Sequence, residues 1–260
     1  MKISYITVTY NAAKWLPVTL ASVLEQDYPD VEHIIVDGKS ADDTPQLVSE
    51  YMAQAEATDS KHAIRFVCEH DNGIYDAMNK GLRLATGDYV CFLNAGDWLP
   101  QTGTATLIAD MITVAEHDNG SLPAVVYGDT AIVNESGKML GQRAKKLPKI
   151  LTWKSFRRGM TVCHQAFYAR ADLAKKLPYN LQYRFSADFD WCIRLMKEGE
   201  RYGCRNVGTN KVVANYLEEG TTTAHRSASL KERFHIMQYH YGLTSTLFHH
   251  ILFAFGFDKR

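Results

Sequence analysis

Carboxylates and amides stand where apolar runs give way to loops, and that placement is the first clue to chemistry. Ile34-Ile35-Val36 runs into Asp37, Phe92-Leu93 runs into Asn94-Ala95-Gly96-Asp97, and Phe185-Ser186-Ala187 precedes Asp188 and Asp190. In open α/β sheets, ligands sit outside the carboxyl ends of the strands. A carboxylate on a strand end is rigid and faces that crevice. Asp37 there could accept a base N–H or ribose hydroxyls; a turn-forming Asp before Gly38 explains it equally well. Asp97, with Gly96 turning the chain beside it, could meet a diphosphate through a metal ion. Magnesium-type ions take one or two protein carboxylates and fill the rest with phosphate oxygens and water. The competing role is a cap or turn before Pro100. Asp188 and Asp190 lie beside aromatics and could include a general base, although an Asp at a helix start is often a cap. Asn79 and Lys80 fall near the end of a short helix, where Lys suits the dipole or reaches a phosphate. Asp88 reads as a solvated turn residue, and His164 as a structural or supporting one.

Several chemistries are excluded by spacing. Gly38-Lys39-Ser40 suggests the end of a phosphate loop, but His33 occupies the position of the required first glycine. No G-x-G-x-x-G follows the first strand and no G-x-S-x-G elbow occurs. The 260 residues carry 29 Lys plus Arg against 29 Asp plus Glu, so no global field favours nucleic acid. The five cysteines are odd in number and widely spaced, against a disulfide framework or zinc ribbon and in keeping with a reducing cytosol; each is expected to be a small buried apolar residue. No signal-peptide pattern begins the chain, and no run of about 18 apolar residues could span a bilayer. The Asn134-Glu135-Ser136 sequon is then idle.

The elements that would position these residues alternate. Strands are expected at 3–9, 31–36 and 63–68 and in the apolar run from Tyr89, with helices at 14–26, from 43 or 44 past Met52, and a short one between the polar loop at Asp71 and Gly87. Asn11 reads as a cap for the first helix, Asp43 or Thr44 with Pro45 as the start of the second, and Gly87 as the stop of the third. Such alternation implies an α/β fold with a mostly parallel sheet flanked by helices. Beyond Asp97 the pattern is mixed. Helices are expected at 102–116, 188–197 and 229–241. Strands are expected at 124–127, 161–169 and 211–216, and a hairpin pairs 130–133 with 138–142. No linker interrupts the chain. It reads as a single domain, with a nucleotide-binding half at 1–100, an acceptor and catalytic half at 101–228 and C-terminal helices at 229–260.

Together these residues resemble family 2 glycosyltransferases, inverting enzymes of the GT-A (Rossmann-like) fold. The matching motifs are Thr7-Val8-Thr9-Tyr10-Asn11, Ile35-Val36-Asp37-Gly38 with Ser40, Asp42 and Thr44, Asp71-Asn72-Gly73-Ile74-Tyr75-Asp76-Ala77-Met78-Asn79-Lys80-Gly81, Gly87-Asp88 and Phe92-Leu93-Asn94-Ala95-Gly96-Asp97. His164-Gln165 and Ala187-Asp188-Phe189-Asp190-Trp191 match more loosely. The set is similar to enzymes of bacterial exopolysaccharide, colanic acid and O-antigen synthesis. The resemblance implies that Asp37 binds the nucleotide base, that Thr9, Tyr10 and Asn11 line its pocket, and that Asn72, Asn79, Lys80, Asn94 and Ala95 complete the donor site. Asp97 takes the place of the metal ligand that closes the family's acidic motif, and Asp188 that of the catalytic base.

Two departures stand out. Relatives often carry two or three aspartates where this chain has Asn94-Ala95-Gly96-Asp97. Glu218-Glu219-Gly220-Thr221-Thr222 replaces a frequent Gly-Gly-x-Ser turn, with His225 beside it as a subordinate candidate ligand. The expected activity is transfer of a sugar from a nucleotide diphosphate sugar, UDP-linked by preference, to a hydroxyl of a glycan or lipid-linked glycan, with Mg2+ or Mn2+ as cofactor. A non-catalytic nucleotide-sugar binding module and a sugar nucleotidyltransferase are the alternatives. The expected location is cytoplasmic, with the apolar C-terminal stretch from Leu247 either packed on the protein or lying on the inner membrane face.

Overall fold

The protein is described by a computed structural model over residues 1–58, 60–142, 147–218 and 226–254, the side chains of Arg226 and Ala254 excepted. The first half alternates as its sequence predicts: β1 (Ile3–Thr9), α1 (Leu16–Leu24), β2 (Val31–Asp37), α2 (Thr44–Ala57), β3 (Ala63–Cys68), α3 (Ile74–Leu84) and β4 (Tyr89–Phe92). β1, β2, β3 and β4 are all parallel, in spatial order β3-β2-β1-β4. β1 and β2 are buried at every position, as strands covered on both faces must be. Ile35 packs with Leu16, Leu20, Val48 and Tyr51 of α1 and α2, while its neighbours Ile34 and Val36 enter the larger core on the opposite face. α3 lies so close on β1 that a β-carbon at Gly81 would meet Ile6 Cγ2 at 2.4 Å. His33 is inside the sheet layer, bridging Thr7 and Tyr51; burial holds its imidazole down to about 3, so it stays neutral.

The second half extends the same sheet. After α4 (Thr104–Asn119) come β5 (Val125–Val133) and β6 (Met139–Gln142), then β7 (Phe167–Arg170), α5 (Ala171–Ala174), α6 (Ala187–Arg201), β8 (Asn206–Leu217), α7 (Arg226–Tyr241) and α8 (Leu243–Ala254). β7 pairs antiparallel with both β4 and β5, so β5 runs with the parallel strands; β6 and β8 both pair with β5. The expected hairpin forms, with Ala131 opposite Gln142. No helix among the described residues is long and apolar enough to cross a membrane.

Several local expectations are corrected. Asn11 does not cap α1. It sits in left-handed backbone at φ 49, just beyond the end of β1 at Thr9, and its side chain accepts the Ala41 N–H across the loop at 2.9 Å. Asp42, not Asp43 or Thr44, supplies the side-chain acceptor at the start of α2, taking the Thr44 N–H at 3.1 Å. α3 stops at an extended Ala85 rather than at Gly87, whose missing side chain instead lets Lys2 and Ser4 approach. The strand expected at 161–169 is divided: a 3₁₀ turn at His164–Ala166 precedes β7. Cys68 is exposed, against the expectation of burial.

Candidate active site

The carboxyl ends of β1 and β2 are joined around Asp37, which is fully buried. Its Oδ1 accepts from the hydroxyls of Thr9 at 2.9 Å and Ser40 at 2.5 Å. Its Oδ2 accepts from the Ser40 N–H at 2.8 Å and the Cys68 thiol at 3.2 Å. The β1–α1 and β2–α2 loops are tied together above it. The N–H groups of Asn11, Ala12 and Ala13 donate to Ser40, Thr44 and Asp42. Ser40, Asp42 and Thr44 thus act as one brace, and Asp42 is held below the usual carboxylate range chiefly by its hydrogen bond to Thr44. Tyr10 is 68% exposed at this rim, and its ring and the Asp71 carboxylate close on Gly38, where a β-carbon would meet Asp71 Oδ2 at 2.5 Å.

From Asp71 the chain crosses to the other side of the mouth. Asp71 caps the Gly73 N–H and Asn72 binds Asp76 with both its backbone and side-chain amides. Two residues on, the Tyr75 hydroxyl donates to Asp188 Oδ1 at 3.1 Å. Asp188 begins α6, and its Oδ2 is 3.2 Å from His164 Nδ1. The Asn94 side-chain amide and His164 Nε2 lie 3.1 Å apart, so the imidazole bridges Asn94 and Asp188. The side chains of Asp188 and His164 are 15% and 12% exposed. Burial pushes the Asp188 carboxyl up, but the His164 hydrogen bond and charge, with Arg233, outweigh it and hold the group below the usual range. Burial pushes the Tyr75 phenol well up, so it remains a donor. Asn94 Oδ1 is buried with no hydrogen-bond partner. The 3₁₀ turn turns His164 toward α6 while sending Gln165 the other way.

Gln165 reaches Asp97. The structure differs here from the expectation of a carboxylate open to a diphosphate. Asp97 is 4% exposed; Oδ2 accepts from Gln165 Nε2 at 2.7 Å and Oδ1 from the Leu217 N–H at 3.0 Å. Thr19 donates to its carbonyl oxygen at 2.7 Å, and Gly96, at φ 97, makes the turn that permits this. Trp98 pairs with Asn215 in the same place. Asp97 therefore clamps the end of β4 to the end of β8. Burial pushes its carboxyl up to about 6 against those two hydrogen bonds and the nearby His164. Among the described residues no three His, Cys, Asp or Glu side chains gather as metal ligands. His225 and the stretch Glu219 to Thr222 lie outside the described residues.

Asn79 is buried at 5% exposure and makes a reciprocal pair with the backbone of Tyr179, donating to its carbonyl at 3.0 Å and accepting its N–H at 2.7 Å. The Tyr179 ring then stacks on Tyr75 at 5.3 Å, which links Asn79 to Asp188 indirectly. Lys80 pairs with Glu69 at 3.0 Å and with the His70 carbonyl, bracing the β3–α3 loop. Ala95 packs under α1. Asp190 faces away from Asp188's partners, binding Arg194 at 2.6 Å and His240 at 2.8 Å. Sequence reasoning did not assign roles to Tyr75, Gln165 or Cys68. The only signal was their position inside or beside quoted motifs, since each reaches its partner across the fold.

Residues 4–175 match the sequence profile of Glycosyl transferase family 2. The chain belongs to that family. It is an enzyme, a glycosyltransferase that moves a sugar from a nucleotide sugar to an acceptor, which sets aside the nucleotidyltransferase and the non-catalytic module. A PGL/p-HBAD biosynthesis glycosyltransferase of Mycobacterium bovis is 36% identical over 221 residues, 84% of this chain and 77% of that one. An amylovoran biosynthesis glycosyltransferase of Erwinia amylovora is 28% identical over 76% of this chain and 65% of its own length. Among solved structures, S. aureus TarS 1-349 in complex with UDP-GlcNAc superposes with a TM-score of 0.70 at 20% identity, covering 92% of this chain and 65% of that one. The mannosyltransferase PcManGT from Pyrobaculum calidifontis, in complex with GDP-Man and Mn2+, gives 0.62 at 20% identity over 90% and 63%. At these identities the structural likeness speaks for the fold, a GT-A-type mixed α/β architecture.

Proposed function

We propose that this glycosyltransferase inverts the anomeric centre of a UDP-sugar, with Asp188 as general base. The observation that carries this reading is the grip on Asp188: Tyr75, His164 and, through His164, Asn94 fix a slightly exposed carboxylate at the mouth of the sheet. The acceptor hydroxyl gives its proton to Asp188 as its oxygen attacks the anomeric carbon, and the bond to the diphosphate breaks. The unpartnered Asn94 Oδ1 suits a sugar hydroxyl, which would supply the missing donor. Asp37, with Thr9, Tyr10 and Asn11, receives the nucleoside; Asn72 and Lys80 border the donor site, while Asn79 and Ala95 shape it. Asp97 acts from behind, holding the loop after β4 against the end of β8.

We extend the proposal to a divalent cation, Mg2+ or Mn2+. Support comes from the Mn2+ in the Pyrobaculum mannosyltransferase complex. The donor's phosphate oxygens and water would have to furnish most of its ligands, and none of the steps above depends on it. The names of the mycobacterial and Erwinia relatives support a glycan or lipid-linked acceptor in bacterial surface polysaccharide synthesis, on the cytoplasmic side, by one domain divided near residues 100 and 228. The test is a screen of nucleotide sugars for slow hydrolysis and transfer, with and without chelator. Turnover of a UDP-sugar that vanishes in Asp188→Asn is the expected result. Preference for another nucleotide would remove the UDP assignment, and full activity under chelation would remove the metal.

A further inference from the structure

We propose that the protein docks on an anionic lipid surface through the exposed side of α8 and the basic turn packed beside it. α8 contains no Asp, Glu, Lys or Arg. Leu243, Leu247, Phe248 and Ile251 are 48%, 46%, 59% and 55% exposed, and their spacing puts them along one side of the helix. Thr246, on the opposite side, is fully buried. The apolar surface continues onto α7 through a groove lined by Leu230, Phe234 and His250, with Lys231 at its edge. Twelve residues are too few to span a bilayer but suit a helix lying in its interface.

Charge identifies the occupant. The chain as a whole is neutral, yet Lys138 to Arg158 holds eight basic residues and no acidic one. This run ends in the 3₁₀ turn Trp153–Arg158, which sits against the α7–α8 junction. Tyr241 donates to the Trp153 carbonyl at 2.6 Å and stacks on its ring at 5.5 Å, and Arg157 lies over Tyr241 at 5.4 Å. The adjoining acid, Glu200 of α6, accepts the Trp153 indole N–H at 2.5 Å. Lys154 and Arg158 are exposed, and Ile150 is 73% exposed just before them. Apolar side chains beside a basic segment are what an anionic headgroup layer binds, each Lys or Arg adding about fivefold to partitioning. The placement also suits the proposed reaction: Phe156 of the turn stacks at 5.7 Å on Phe189, the residue after Asp188. A lipid-linked acceptor lying in that surface would thus present its hydroxyl near the base.

The test uses the full chain and phosphatidylcholine vesicles with and without phosphatidylglycerol. Co-sedimentation should require phosphatidylglycerol and weaken as salt rises. Leu247→Glu with Phe248→Glu, and separately Lys154→Glu with Arg158→Glu, should each lower partitioning at least tenfold, or about two basic contacts' worth for the second pair. Unfolding temperature and donor hydrolysis should stay unchanged. Wild-type protein that ignores phosphatidylglycerol overturns the proposal without reference to any variant. So does equal binding by folded variants, or a dimer that the variants convert to monomer while no vesicle is bound. Vesicle binding is read without turnover. Binding with no donor turned over would therefore uphold the docking face while removing the transfer mechanism.

Discussion

Asp37 and Asp188 are both buried carboxylates at the mouth of one sheet, but they are held in opposite ways. Asp37 is fully enclosed and receives four donors from Thr9, Ser40 and Cys68, all on the neighbouring strand ends and their loop. Asp188 keeps a 15% exposed side chain and receives Tyr75 and His164 from two elements far apart in the chain. The difference matches the two roles proposed for them, nucleoside binding for Asp37 and proton transfer for Asp188. A fully hydrogen-bonded carboxylate moves little. One that keeps some exposure beside its Tyr75 and His164 contacts is placed to take a proton under the proposed mechanism.

Asp188→Asn should break this contrast most sharply. It keeps the size and loses the basicity, so turnover should fall about 10²–10⁴-fold with donor affinity nearly unchanged. His164→Ala should cost up to about 10²-fold in kcat by letting the carboxylate shift. Near-normal kcat in Asp188→Asn, measured with a UDP-sugar, would show that the two carboxylates do not differ in role.

Asp97 offers the next largest effect, on stability. Its folded-state group titrates near 6, above an ordinary Asp. The native state therefore holds its proton more tightly than the unfolded chain does. The stabilisation is fully present below about pH 4 and is lost as pH rises through 6, by roughly 3 kcal/mol. Denaturant midpoints measured across this window should show the decline, and Asp97→Asn should flatten it. An unchanged slope in that variant would mean Asp97 is not the group responsible. Asp188 has the opposite sign: its pKa is lowered on folding, so its contribution is present above the ordinary Asp range and fades as pH drops through its folded value.

Smaller effects sharpen the comparison. Asn79→Ala removes both bonds to Tyr179 and should cost about 1–3 kcal/mol in urea unfolding. It should also lower kcat more than it raises donor KM, because Tyr179 supports Tyr75 and thereby Asp188. A pure donor-affinity loss would instead place Asn79 on the donor. Cys68→Ala should be mildest, within about 1 kcal/mol in stability, since Asp37 keeps its three bonds from Thr9 and Ser40. UDP binding by calorimetry would show whether the exposed thiol matters to the nucleoside.

The sheet of the first half was readable because each strand is a short apolar run bounded by turn residues and each helix shows its period. The brace around Asp37 was half-readable: Ser40, Asp42 and Thr44 were noticed as motif members, while their hydrogen bonds to 11–13 appear only when parallel β1 and β2 bring both loops together. The strand expected at 161–169 failed for a physical reason. His164 and Gln165 must face Asp188 and Asp97, on different sides, and a 3₁₀ turn provides that where a strand's alternation alone would carry the backbone past both. The division of the acidic motif was legible as Asn94-Ala95-Gly96-Asp97, but its consequence was not. Asn94 meets His164 of the 3₁₀ turn, and Asp97 is enclosed because the end of β8, more than a hundred residues later, packs on the loop after β4.

Residue types and periodicity determined the α/β class, the parallel character of the early sheet and the candidates Asp37 and Asp188, while the quoted motifs carried the resemblance to the family. Those are properties of local pattern, where burial and turn chemistry act within a few residues. Tertiary structure alone decided which carboxylate is enclosed and which keeps some exposure. It made Asp97 a clamp, Asn79 a support and His164 the link between Asn94 and Asp188. It also set a basic turn against an apolar helix at the far end of the chain. Hydrogen-bond partners and desolvation fix such roles, and both depend on what long-range packing brings alongside.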